Sequence, residues 1–220
     1  MRILNLQLAL DRMTKEECFQ ALEDTKGAID WIEIGTGVIK EYGVSLIREI
    51  KKAFPDQTLV ADMKTCDAGK HEAAQAFEAG ADITTVMAFS ADQTIKDTLE
   101  VARRYERRVM IDLLGVQEEQ RIKELCALGV DLVSLHFGKD MQASGEIQSD
   151  DLFSLVQGSH VEVAVAGGIN PGTLPSILKN NPDTLIVGSA ITKQNDRRSA
   201  ALQMKGMMMD HEADHSNRQR

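Results

Sequence analysis

One pattern constrains this chain more than any other: a short apolar run followed by a helical stretch, repeated eight times. The candidate strands are Leu6–Leu10, Trp31–Ile34, Thr58–Met63, Ile83–Met87, Val109–Leu113, Leu132–His136, Val161–Ala166 and Thr184–Val187. Runs of this length, rich in β-branched residues and bounded by Gly, Asp or Asn, read as buried strands. They recur every 23 to 30 residues or so, about the length of one strand-helix unit.

Helical patterns fill the gaps. Thr14 with Glu17 forms a capping-box signature that opens a helix toward Lys26 and Gly27. Lys40–Ala53 carries Val44, Leu46, Ile47 and Ile50 near helical spacing and ends before Pro55. Further helices are expected over Gly69–Ala79, Gln93–Tyr105, Glu118–Leu128, Asp151–Gln157, Pro171–Lys179 and Ser199–Met209. Several stop at glycine, the usual residue just past a helix end.

Strands alternating with helices imply a parallel sheet, and eight unbroken repeats imply closure. The expected fold is of the α/β class, a single (β/α)₈ TIM barrel. An open dinucleotide-binding sheet would want a G-x-G-x-x-G turn after the first strand, whereas that turn reads Asp11-Arg12-Met13. The 220 residues suffice for a small barrel, and aromatic content of 4% leaves the packing to Leu, Ile, Val, Ala and Met. No linker marks a second domain. The barrel is expected over residues 1–209, with 210–220 as a polar tail without fixed structure. His211 and His215 sit at helical spacing in that tail, but no further ligand accompanies them.

Composition excludes several function classes. The net charge is −9 and no basic run exceeds short pairs such as Arg103–Arg104, so nucleic acid is not an expected partner. No apolar run approaches the roughly 20 residues of a membrane span. Three cysteines without a C-x-x-C pair suit a reducing compartment. The N-terminal residues lack a signal-peptide layout, so the expected location is cytoplasmic.

Active sites of such barrels lie at the C-terminal strand ends. There the chain places Asp11, Glu33, Asp62 with Lys64, Asp112 and His136, then Gly167-Gly168 and Gly188-Ser189. Ionisable groups in apolar strands are costly unless they are paired or used. Alternation turns Asp62 and Lys64 to the same side, with Asp67 in the following turn. A lysine flanked by carboxylates stays protonated and can stabilise an oxyanion or deliver a proton. Glu33 and Asp62, from adjacent strands, suit a hard cation such as Mg²⁺, which takes few protein ligands; neutralisation by Lys64 alone is the alternative. The glycine turns after strands seven and eight occupy the frequent phosphate site of the fold. The expected substrate is a small sugar phosphate reacting through an enediol or enolate, with isomerase, aldolase and decarboxylase chemistry all open.

Six segments of the sequence resemble a known superfamily. They are Leu6-Gln7-Leu8-Ala9-Leu10-Asp11, Glu33-Ile34-Gly35-Thr36, Ala61-Asp62-Met63-Lys64-Thr65-Cys66-Asp67-Ala68-Gly69, Ala79-Gly80-Ala81-Asp82, Ala164-Val165-Ala166-Gly167-Gly168-Ile169 and Val187-Gly188-Ser189-Ala190-Ile191-Thr192. Together they are similar to the orotidine-5′-phosphate decarboxylase superfamily, in the branch of 3-hexulose-6-phosphate synthases and 3-keto-L-gulonate-6-phosphate decarboxylases. The resemblance implies a Mg²⁺-dependent lyase, a 1,2-enediolate, and a homodimer in which Asp67 crosses into the partner's site. It implies Glu33 and Asp62 as metal ligands, with Lys64, Asp67, His136, Asp62 and Asp112 in catalysis. Asp11, Glu33, Lys139, Gly167, Gly168, Gly188 and Ser189 would contact substrate. The decarboxylases tend to have Glu at position 112 and Arg at 139 and 189; Asp112 and Ser189 are synthase-like, while Phe137 replaces the usual Thr.

Overall fold

The computed structural model describes residues 4–138, 140 and 149–218. Eight strands close into a barrel in sequence order: β1 (Asn5–Leu10), β2 (Trp31–Ile34), β3 (Thr58–Thr65), β4 (Ile83–Met87), β5 (Arg108–Asp112), β6 (Leu132–His136), β7 (Glu162–Ala166) and β8 (Thr184–Val187). Each strand pairs in parallel with both neighbours. The helices are α1 (Lys15–Asp24), α2 (Thr36–Tyr42), α3 (Ser45–Ala53), α4 (Gly69–Glu78), α5 (Asp92–Tyr105), α6 (Glu119–Ala127), α7 (Ser149–Ser154), α8 (Leu174–Leu178), α9 (Ser189–Thr192) and α10 (Arg197–Arg218).

Strand alternation divides the core in two. Leu6, Leu8, Leu10, Ile32, Ile34, Leu59, Val109, Ile111, Val133, Leu135, Leu185 and Val187 belong to a buried apolar layer shared with the helices. The alternate residues Val60, Ile83, Met110, Leu132, Ala164, Ala166 and Ile186 form a second cluster, with Ala9 and Trp31 against it. This second cluster fills the barrel. The inward series continues upward as Glu33, Asp62, Thr85, Asp112, Ser134 and His136, so the packing parity that fills the barrel also sets the polar groups at its mouth.

Register is held from the opposite end. Asp30, Asp82 and Asp183 each sit just before a strand, and their Oδ2 atoms accept the backbone N–H of Leu6, Leu59 and Val163 at 2.8–2.9 Å. Lys205 and Lys51 pair with Asp30 and Asp82 at 2.6 and 2.8 Å. Arg108, the first residue of β5, reaches Glu162 of β7 at 2.9 Å. A one-residue slip would turn every site residue outward, so these clasps at the strand starts also fix the site.

Two expectations change. The single helix over Lys40–Ala53 is two helices, because Gly43 adopts φ 69° and ends α2. Residues 210–218, expected without fixed structure, continue α10. Tertiary contacts hold that helix: Ala201, Met204 and Met208 are buried, and Leu4 N–H donates to Glu212 Oε1 at 2.9 Å. No helix among the described residues is long and apolar enough to cross a membrane.

Candidate active site

A cavity at the barrel mouth is lined by Gln7, Glu33, Asp62, Lys64, Thr85, Met110, Asp112, Ser134, His136, Ala166 and Ile186. At its centre the Lys64 ammonium bonds Asp112 Oδ2 and lies 3.2 Å from Asp62 Oδ1. Simple alternation does not account for this placement. Lys64 has φ 49°, in the left-handed region, and the β3–β4 register shifts between Ala61 and Thr65. The shift re-aims a side chain at a strand end, a common use of such irregularities next to active sites. It is secured by Lys64 N–H donating to Thr85 Oγ1 at 2.8 Å.

Each carboxylate has a different environment. Asp62 Oδ1 accepts from Thr85 and its Oδ2 from Thr36, both at 2.8 Å. Asp112 Oδ2 also lies 3.0 Å from His136 Nδ1, and its Oδ1 accepts Leu114 N–H at 2.9 Å. Burial alone would raise the Asp112 carboxyl, but His136 and Lys64 outweigh it and hold the pKa at about 2. Burial likewise opposes the charge on Lys64, and Asp62 with Asp112 overcome it, raising its pKa above the ordinary lysine value. Glu33 shows the opposite balance. Burial, then the charge of Asp62, push its pKa up to about 8, although Gln7 Nε2 donates to its Oε2 at 2.5 Å. Lys64 makes its direct ion pairs with Asp62 and Asp112, and its charge only partly offsets the effect on Glu33.

Residues 4–204 match the family described as orotidine 5′-phosphate decarboxylase / HUMPS. The chain belongs to this family. A 3-hexulose-6-phosphate synthase from Bacillus subtilis is 38% identical over 94% of this chain and 99% of its own length. A crystal structure of 3-hexulose-6-phosphate synthase from Salmonella typhimurium superposes with TM-score 0.90 at 33% identity, covering 94% of this chain and 99% of that one. A 3-keto-L-gulonate-6-phosphate decarboxylase from Vibrio cholerae superposes with TM-score 0.80 at 28% identity, covering 91% and 96%.

Within this family fold, the residues singled out by sequence separate into two groups. Glu33, Asp62, Lys64, Asp112 and His136 line one cavity. Asp11 and Asp67 are exposed and outside its lining, Asp11 pairing with Arg12 at 3.2 Å. Gly167 and Gly168 have φ 104° and 67°; a Cβ on Gly167 would lie 2.0 Å from the Phe137 carbonyl oxygen, so only glycine fits that turn. Gly188 precedes the short α9, which begins at the exposed Ser189. Lys139 lies outside the described residues. Gln7, Thr85 and Ser134 also line the cavity but lie before the strand ends, where the charged residues stand out in the sequence. The available signal was a polar residue at inward parity within an apolar strand, as in Leu6-Gln7-Leu8.

Proposed function

We propose that this chain is a lyase of the 3-hexulose-6-phosphate synthase type, joining formaldehyde to C1 of D-ribulose 5-phosphate. The supporting observation is the linked set Asp62–Lys64–Asp112–His136, on a chain that shares 38% of its residues with a relative of that name. The identity to the decarboxylase is lower, at 28%, and Asp112 and Ser189 are the synthase-like residues.

His136 is the base. Its Nδ1 is engaged by Asp112, which leaves Nε2 for the C1 proton. Loss of that proton gives the 1,2-enediolate, whose C1 attacks the formaldehyde carbon. The proton taken up by His136 balances the one delivered to the former aldehyde oxygen, which completes the new hydroxymethyl group, and the carbonyl re-forms on the former C2, which is C3 of the product. Asp112 stays ionised and stabilises the imidazolium as it forms, while Lys64 stabilises the enediolate. Gly167, Gly168, Gly188 and Ser189 surround the phosphate, and Asp11 contacts the sugar.

Glu33 and Asp62 fit a divalent cation. Among the described residues no cluster of three or more His, Cys, Asp or Glu is arranged for a metal, but Mg²⁺ commonly takes one or two carboxylates and keeps its waters. Gln7 Oε1 is buried beside Glu33 without a hydrogen-bond partner among the described residues, and cation-bound water would supply donors. Held by Glu33 and Asp62, Mg²⁺ would supply Lewis-acid stabilisation of negative charge developing on the substrate. The purified protein is therefore expected to consume formaldehyde with ribulose 5-phosphate, to lose that activity with chelator, and to regain it with Mg²⁺. Faster CO₂ release from 3-keto-L-gulonate 6-phosphate than formaldehyde addition would replace this reading with the decarboxylase.

The working unit is a cytoplasmic homodimer in which Asp67 acts in the neighbour's barrel. Mixing inactive Lys64→Ala and Asp67→Ala proteins after subunit exchange would then restore about a quarter of wild-type activity, because half of the dimers carry one intact site of two. No recovery in mixtures shown by mass spectrometry to have exchanged would place Asp67 in its own chain's site.

A further inference from the structure

We propose that Thr85 is a positioning residue that locks Lys64 and Asp62 into their working arrangement. The inference rests on the reading of those two residues as part of the catalytic site. Thr85 points into the barrel from the middle of β4 and is 4% exposed. Its single hydroxyl group makes two bonds at once. The Oγ1–H donates to Asp62 Oδ1, and the same oxygen accepts Lys64 N–H, each at 2.8 Å. One atom of β4 therefore ties together the carboxylate and the backbone of its lysine neighbour.

The backbone bond matters because of where it falls. Lys64 is a non-glycine residue at φ 49°, at the point where β3 loses register with β4. A left-handed residue persists only where its surroundings over-determine it. Ladder pairing does not supply the partner for Lys64 N–H, so the Thr85 hydroxyl does. Without that acceptor the segment can relax toward ordinary strand geometry, which swings the ammonium away from Asp112. The bond to Asp62 adds a second function: it fixes the carboxylate that approaches both Lys64 and Glu33. Thr84, the residue before, shows the contrast. It faces the other side, and its hydroxyl donates to Ala61 O at 3.5 Å.

Thr85→Val keeps the shape and removes the hydroxyl, and Thr85→Ser keeps the hydroxyl and removes the methyl. Both are compared with wild type as full-length protein, by steady-state kinetics with Mg²⁺ and by amide hydrogen exchange at Lys64. Thr85→Val should lower kcat about 100-fold, the scale of a misplacement of about 1 Å. Its KM for ribulose 5-phosphate should change by less than about threefold, since the phosphate contacts are elsewhere. Exchange of the Lys64 amide should quicken about tenfold or more in Thr85→Val, because its acceptor is gone. Thr85→Ser should recover kcat to within about threefold and keep the slow Lys64 exchange. A purely packing role predicts the reverse ranking, with Ser the more damaged. The proposal is overturned if Thr85→Val keeps kcat within about threefold, if Ser is as slow as Val, or if Lys64 exchange is unchanged in Val. If wild type shows no formaldehyde addition, the proposed reaction falls, and the exchange comparison still decides whether the lock exists.

Discussion

Lys64→Ala is expected to lower kcat/KM for formaldehyde addition by about 10³-fold or more, the upper range for removing one group that stabilises a developing oxyanion. The ammonium lies between Asp62 and Asp112 and bonds to both. Its removal takes away charge stabilisation of the enediolate and leaves buried carboxylates facing one another. Breaking a buried ion pair from one side typically costs about 3–5 kcal/mol. The Lys64 side chain is 23% exposed, so the lower end of that range applies, and the midpoint of urea unfolding should fall accordingly. Binding of ribulose 5-phosphate, followed by calorimetry, should persist because the glycine turns are untouched. This combination separates an enzyme from a barrel that only senses sugar phosphates, which would respond to its ligand without turnover in either form. Turnover within tenfold of wild type would remove Lys64 from the mechanism.

Much of this site is legible in the sequence. Eight apolar runs at regular spacing implied a closed parallel barrel, and the barrel is closed in sequence order. The physical cause is strong: parallel strands covered on both faces must be apolar almost throughout, so a charged residue near a strand end stands out. Glu33, Asp62, Lys64, Asp112 and His136 were visible for that reason. The five come from four strands and meet in one cavity because inward parity is shared around the barrel.

What was not legible depends on local backbone geometry and on neutral polar groups. A lysine gives no hint that it will adopt φ 49°, since nothing in its side chain favours that region. Strand alternation put Lys64 beside Asp62 for an incomplete reason; the register shift and the Thr85 bond are what hold it there. Thr85 and Gln7 look ordinary in a strand, and only their inward parity marks them. The break at Gly43 was hidden because Val44, Leu46, Ile47 and Ile50 keep helical spacing beyond it. Residues 210–218 read as polar and unsupported, yet they extend a helix whose buried methionines lie earlier in the chain. Helix ends set by tertiary contacts of this kind leave little trace in local composition.

His136→Asn should slow two reactions together by about 10²–10⁴-fold, the usual worth of a positioned general base. One is formaldehyde addition. The other is exchange of the C1 hydrogen of ribulose 5-phosphate into deuterated water without formaldehyde, followed by NMR. The pairing follows from geometry: Nδ1 is held 3.0 Å from Asp112 Oδ2, so the ring is oriented and Nε2 is the atom left to meet substrate. Asparagine keeps an amide that can donate to Asp112 but has no basic nitrogen. Asp112, held at a pKa of about 2, remains a carboxylate throughout the neutral range and continues to pair with Lys64. The variant should therefore keep the Lys64 arrangement and lose the proton transfer. Lys64→Ala differs, because it removes the charge that stabilises the enediolate once formed. If His136→Asn exchanges C1 hydrogen at the wild-type rate yet fails at addition, His136 acts after the enediolate and another group is the base. If both reactions survive, the imidazole is a structural partner of Asp112 and not part of the chemistry. Equal loss of both reactions, with unchanged ribulose 5-phosphate binding, is the outcome that the Asp112–His136 geometry requires.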